Sequence, residues 1–129
     1  MRLLLDTQCW LWAHLSPGRL SPASRELIEN PEVDLFVSVA SSWEIAIKHA
    51  RGKLRLPVPP ELFVPSRLAA LGASSLSIEH SHALLAGSLP PHHADPFDRM
   101  LIAQAKLEDL LLLTSDRQFE SYGIDIVWA

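Results

Sequence analysis

The sequence predicts an α/β domain of three layers, with a mostly parallel central sheet flanked by helices, and three observations carry that prediction. Two short apolar runs, Leu3-Leu4-Leu5 and Leu110 to Leu113, lack the alternation of a half-solvated strand and fit strands covered on both faces. Each runs straight into hydroxyl and carboxylate groups, Asp6-Thr7 in the first case and Thr114-Ser115-Asp116 in the second. Around them, strand candidates alternate with segments that carry helix start and stop signals, which is the pattern of a layered α/β fold.

Taken in order, Leu3–Leu5 is a buried strand and residues 8–15, with Cys9, Trp10, Leu11 and Trp12, form a short helix that stops at Ser16-Pro17-Gly18. Ser21-Pro22 supplies an N-cap and first helical residue for a helix to Glu29, and Val33–Val39 is the second strand. Ser41-Ser42-Trp43-Glu44 reads as a Ser-x-x-Glu capping box opening a helix that ends at Arg51-Gly52. A helix over Pro60–Leu71 stops at Gly72 and should be kinked or divided by Pro65. Ser75–Ile78 is a third strand, Glu79–Gly87 a helix carrying His80 and His82, and Leu89 to His93 a loop. Asp95 caps the next helix, Pro96 is its first residue, and its apolar positions leave a polar stripe only at Arg99, Gln104 and Lys106. The Leu110–Leu113 strand, a helical turn through Phe119 and a last strand at Ile124–Trp128 complete the chain. Trp10, Trp12 and Trp43 are expected in the core.

With 129 residues and 48% hydrophobic content, the chain is one domain spanning 1–129, long enough for a substantial core. Its net charge of −4 provides no global basic field, so a polyanionic partner must be met by a local patch. Lys48, Arg51, Lys53 and Arg55 form the densest cluster of basic side chains, readable as a solvated helix end or as a phosphate-contacting rim. A single cysteine excludes an internal disulfide and a cysteine-based zinc cluster. The amino terminus reaches Asp6 too soon for a signal peptide, and no stretch has membrane-spanning length, so a cytoplasmic protein is expected.

The functional expectation comes from the acids. In open α/β sheets, ligands bind outside the carboxyl ends of the strands. Asp6 and Asp116 end strands there, while Glu44 and Asp98 open helices that follow strand–loop connections, so all four can face one edge. Capping alone would account for the Asp-Pro-Phe-Asp segment, and Glu44 could simply serve Ser41 or pair with Lys48. If the four converge, however, two carboxylates 4 Å apart repel by about 4 kcal/mol at an effective dielectric of 20. A hard divalent cation with oxygen ligands, Mg²⁺ or Mn²⁺, offsets that repulsion.

Leu4-Leu5-Asp6-Thr7, Trp43-Glu44-Ile45-Ala46-Ile47-Lys48, Asp95-Pro96-Phe97-Asp98-Arg99 with Leu101-Ile102-Ala103-Gln104-Ala105, and Leu113-Thr114-Ser115-Asp116 together resemble the ordered signature of PIN domains. More narrowly, they resemble the VapC-like toxins of bacterial type II toxin–antitoxin pairs. The resemblance implies a PIN-like fold and a metal-dependent endoribonuclease that cleaves RNA phosphodiester bonds with a metal-activated water. It implies Asp6, Glu44, Asp98 and Asp116 as the catalytic and metal-binding set, with Asp6 and Asp98 as the principal ligands. Thr7, Asp95, Thr114 and Ser115 would support them, and Lys48, Arg51, Lys53 and Arg55 would contact RNA. A VapB-like antitoxin and a homodimer are the partners it implies, with an antitoxin helix lying on apolar surface of the first helices. One departure is Gln8, where relatives often carry His after Asp-Thr.

Other readings stay open at this point. A PIN-fold nuclease of housekeeping RNA processing, or a PIN fold that binds without catalysis, fits the same motifs. A receiver-like phosphoacceptor module fits poorly, because Asp6 stands alone after the first strand and no Lys follows Lys106. Arg99 and Arg117 each follow a candidate acid and are expected to be salt-bridge partners. His92-His93 has no third ligand at zinc spacing.

Overall fold

The computed structural model describes residues 1–129. Five parallel strands, β1 (Arg2–Leu5), β2 (Asp34–Ser38), β3 (Ser74–Leu76), β4 (Leu111–Thr114) and β5 (Ile126–Trp128), form one sheet in the order β3-β2-β1-β4-β5. The chain starts in the middle, builds outward through β2 and β3, and then crosses back to lay β4 against the other side of β1. Leu5 is therefore in register with Val37 of β2 on one side and Leu113 of β4 on the other. The break in strand order lies between β1 and β4, the two strands that end in Asp6 and Thr114-Ser115-Asp116.

Helices α1 (Thr7–Leu15), α2 (Pro22–Glu29), α3 (Val39–Ala50), α4 (Pro60–Leu71), α5 (His80–Ser88) and α6 (Pro96–Glu108) cover the sheet. Because β1 is the central strand, its three leucines are fully buried and divide between two apolar layers. Leu3 and Leu5 join Trp10, Ile45 and Phe63, whereas Leu4 joins Leu101, Ile102, Leu112 and Phe119. The buried face of α6 runs through Leu101, Ile102, Ala103, Gln104 and Ala105, so Gln104 belongs to the core rather than to a polar stripe. No helix is long and apolar enough to cross a membrane.

Several local expectations are corrected. Helix α3 starts at Val39, with the Ser38 hydroxyl accepting from Ala40 N–H, so Ser41 and Glu44 form no capping box. Pro65 does not divide α4, which runs unbroken through it; the proline lies on the exposed side, as does Glu61, whose carbonyl it leaves unbonded by the helix. Trp10 is fully buried and Trp12 partly so, but Trp43 is 62% exposed.

Arg99 has no carboxylate partner. Its guanidinium donates to the carbonyls of Ala86 and Leu89 at 2.8 Å, of Pro90 at 3.0 Å and of His93 at 3.2 Å. It thus caps the carboxyl end of α5 and binds the loop that leads to α6, where a cation also complements the helix dipole. Arg117, by contrast, lies 3.9 Å from Glu120 and stacks 4.2 Å over the Trp128 ring. Replacing Arg99 with Met leaves four carbonyls without this donor, and an unfolding free energy lower by about 3 kcal/mol is expected in urea titrations.

Candidate active site

The four predicted acids come together. Asp6, Glu44, Asp98 and Asp116 line one pocket of about 250 Å³ at the carboxyl edge of the sheet, with Thr7, Gln8, Lys48, Asp95 and Ser115 among its other walls. The pocket sits where the strand order breaks, the position at which open α/β sheets bind ligands. Two acids arrive directly from adjacent strands, Asp6 after β1 and Asp116 after β4. Glu44 enters from the second turn of α3, and Asp98 is the third residue of α6.

Asp6 is held at both oxygens. Its Oδ1 accepts from Cys9 N–H at 2.7 Å, capping α1, and its Oδ2 accepts from the Thr114 hydroxyl at 2.5 Å. Burial raises its pKa, against the lowering effect of these hydrogen bonds. Thr114 is itself oriented, because its oxygen accepts from Asp116 N–H at 3.0 Å. Thr7, predicted to orient a carboxylate, instead donates its hydroxyl to Ser41 at 2.8 Å, tying α1 to α3. Burial also pushes the Cys9 thiol up, so Cys9 is a core residue without nucleophilic character.

Glu44 is 6% exposed and pairs through Oε2 with Lys48 Nζ at 2.7 Å, while Oε1 is buried without any partner. The Lys48 pKa is raised: burial works against its charge, but the hydrogen bond and charge of Glu44, with Asp95 and Asp98, outweigh it. Asp98 is strongly perturbed as well. Burial and the charges of Asp95, Glu44, Asp6 and Asp116 push its carboxyl up to about 8. Asp95 is the N-cap of α6, its Oδ1 accepting from Phe97 N–H at 2.8 Å and Asp98 N–H at 3.1 Å. Since Asn caps equally well, Asp95→Asn is expected to change the melting temperature little and to reduce any metal-dependent activity far less than Asp98→Asn. Equal damage would mean that the Asp95 charge itself works in the pocket.

One neighbour escaped the sequence reading. His93 is buried, and its Nε2 lies 2.9 Å from Asp98 Oδ2 and 3.2 Å from Asp116 Oδ2. Beside the acidic pocket a second cleft of about 310 Å³ shares Gln8, Leu11 and Lys48 with it and adds Lys53, Arg19 and Trp12. Lys48 and Lys53 of the predicted basic cluster thus line it, together with Arg19, whereas the exposed Arg51 and Arg55 line neither space.

The donor set fits a hard divalent cation. It offers carboxylate oxygens, a buried Glu44 oxygen with no hydrogen-bond partner, and an Asp98 carboxyl that burial and then the neighbouring acids push up to about 8, a position a cation's charge would relieve.

A PIN domain family pattern matches residues 3–125, nearly the whole chain. The chain belongs to the PIN domain family. This PIN domain is similar to Ribonuclease VapC22 of Mycobacterium tuberculosis, at 32% identity over 123 residues that cover 93% of this chain and 91% of that one. It is 39% identical over 59 residues to Ribonuclease VapC16 of the same organism, a match covering 46% of this chain and only 42% of that relative's length. Among solved structures, VapBC2 from Rickettsia felis, bound to a DNA fragment from its promoter, superposes with a TM-score of 0.71 at 13% identity, covering 99% and 98% of the two chains. FitAcB from Neisseria gonorrhoeae superposes with a TM-score of 0.60 at 20% identity, covering 96% and 95%. The parallel sheet of the PIN fold is therefore what orders the four acidic motifs in space.

Proposed function

We propose that this PIN domain is a divalent-metal-dependent endoribonuclease and the toxin of a toxin–antitoxin pair with a VapB-like antitoxin. The observation that carries the reading is the convergence of Asp6, Glu44, Asp98 and Asp116 on one small pocket at the break in strand order. Similarity to two proteins named ribonucleases supports RNA as the substrate class, and similarity to a VapBC complex supports the antitoxin.

Asp6 and Asp98 would hold Mg²⁺ or Mn²⁺, with Glu44 and Asp116 completing the site. When bound, the cation supplies Lewis acidity toward a phosphodiester and neutralises the acidic cluster. The chain's own groups prepare that environment. Thr114 fixes the orientation of Asp6, and Lys48 holds one oxygen of Glu44 while leaving the other for ligation or proton acceptance. Lys48, Lys53 and Arg19 give the adjoining cleft a positive wall along which RNA phosphates can approach an otherwise acidic protein. The exposed apolar side chains Val39 and Trp43 on α3 and Leu62 on α4 offer surface to an antitoxin helix, a role that buried Trp10 cannot take. The same reading makes the protein a cytoplasmic homodimer.

The test is incubation of the purified, antitoxin-free protein with total cellular RNA in Mg²⁺, Mn²⁺ or EDTA. Metal-dependent cutting at discrete positions is expected. A folded, antitoxin-free protein that cuts nothing with either metal would overturn the nuclease reading.

A further inference from the structure

We propose that His93 is a positioning residue whose Nε2–H donates to Asp98 and Asp116 and holds the two carboxylates together without ligating the cation itself. The proposal deepens the metal-site reading above and rests on it for its function, although its first test needs no cation.

His93, Asp98 and Asp116 bring three possible donor atoms within 4.8 Å of one another, which by distance alone would suit a three-ligand metal site. The other ring nitrogen decides against that. His93 Nδ1 accepts the backbone N–H of Asp95 at 3.3 Å, and a backbone N–H can only donate, so Nδ1 must present its lone pair. The ring proton then sits on Nε2, the atom facing both carboxylates. Ligation through Nε2 would require that proton to move to Nδ1, where it would meet the Asp95 N–H. A donor to two carboxylates is what a supporting group provides, whereas a ligand needs a free lone pair.

The imidazole is also fixed before any cation arrives. Its backbone N–H donates to the Tyr122 hydroxyl at 2.7 Å, its carbonyl accepts from Arg99 at 3.2 Å, and its ring lies edge-on to Phe119 at 5.5 Å. Elsewhere the chain ties His82 in the same way. There Nδ1 accepts from Glu79 N–H at 2.9 Å, and Nε2 meets the Glu108 carboxylate at 2.8 Å, away from the pocket. A buried histidine oriented by a main-chain donor and aimed at a carboxylate is thus a device this fold uses twice.

The first experiment is ¹⁵N NMR of the imidazole nitrogens in the metal-free protein, repeated with Mg²⁺. A pyrrole-type Nε2 and a pyridine-type Nδ1 are expected in both conditions; the reverse tautomer, or loss of the Nε2 proton on adding Mg²⁺, would overturn the proposal. The second is Mn²⁺ affinity, read by electron paramagnetic resonance, for the wild type, His93→Gln and His93→Ala. Gln keeps an N–H donor at this reach and should bind within about threefold of wild type, whereas Ala should bind about 10–100-fold more weakly. Gln as damaging as Ala, or Ala without effect, would refute the positioning role. A wild type that neither binds Mn²⁺ nor cuts RNA would count against the nuclease reading instead, and the tautomer would still decide the donor geometry of His93.

Discussion

Asp98→Asn is expected to lower metal-dependent RNA cleavage at least about a hundredfold, the upper end of what the loss of a mere supporting group costs a metal site, and to leave the metal-free protein as stable as before or more so. The two halves of that result have one cause. Burial and four neighbouring carboxylates push the Asp98 carboxyl up to about 8, so its ionised form is unfavourable in the folded, metal-free chain. Asn has the same shape, cannot ionise, and offers a cation only a neutral oxygen. The start of α6 does not depend on the substituted side chain, because Asp95 caps it through backbone N–H groups that the substitution leaves in place. Cleavage of cellular RNA and thermal melting in EDTA, measured side by side, check the prediction. Full retained activity would remove Asp98 from the reaction, and a large fall in melting temperature would make its role structural.

Much of this arrangement was legible in the residues, for reasons that differ from element to element. The runs Leu3–Leu5 and Leu110–Leu113 could be read as strands because wholly apolar segments of that length fit a sheet covered on both faces. The Asp95-Pro96 start of α6 was equally plain, since cap and first residue are local chemistry. Convergence of the acids followed from topology: motifs after parallel strands meet at one edge whatever the intervening loops do. Asp6, Glu44, Asp98 and Asp116 were therefore foreseeable as neighbours.

The misses are tertiary. Ser41 looked like a cap because it stands three residues before Glu44, but Ser38 caps the helix first and Ser41 turns to Thr7, 34 residues away. Glu44 then falls on the buried face of α3 and Trp43 on the exposed one, the reverse of what hydrophobicity predicts. Such an inversion is itself informative, because burying a carboxylate while exposing a tryptophan is unfavourable for folding, and the chain offsets it only in part: Lys48 takes one Glu44 oxygen and Phe97 lies edge-on to Trp43, while Glu44 Oε1 is left without a partner. His93 was missed because its contact with Asp116 spans 23 residues, and Arg99 because its partners are main-chain carbonyls, which no side-chain pattern reveals.

Affinity for Mg²⁺ is expected to rise about a hundredfold between pH 6 and pH 9, with all but a factor of about two of the rise below pH 8, because a cation that uses the Asp98 carboxylate must displace its proton. The sign follows from the direction of the shift. An acid whose folded pKa is raised from 3.8 to about 8 binds a proton in the native state through that window. With a pKa near 8, about one molecule in a hundred is ionised at pH 6, half at pH 8 and most at pH 9. The same shift means that the Asp98 contribution to the stability of the metal-free protein is greatest below about pH 4 and is lost as the pH rises toward 8. Mg²⁺ should reverse that loss, so the increase in melting temperature on adding the ion should grow along the same window. Asp6, whose pKa burial also raises, acts in the same direction. Isothermal titration calorimetry in buffers of different ionisation enthalpy measures both quantities at once. About one proton should be released per ion bound near pH 6 and almost none near pH 9, and Asp98→Asn should remove most of that release. Affinity flat across this range, with no proton release, would mean that the cation does not use the Asp98 carboxylate, however close the four acids lie.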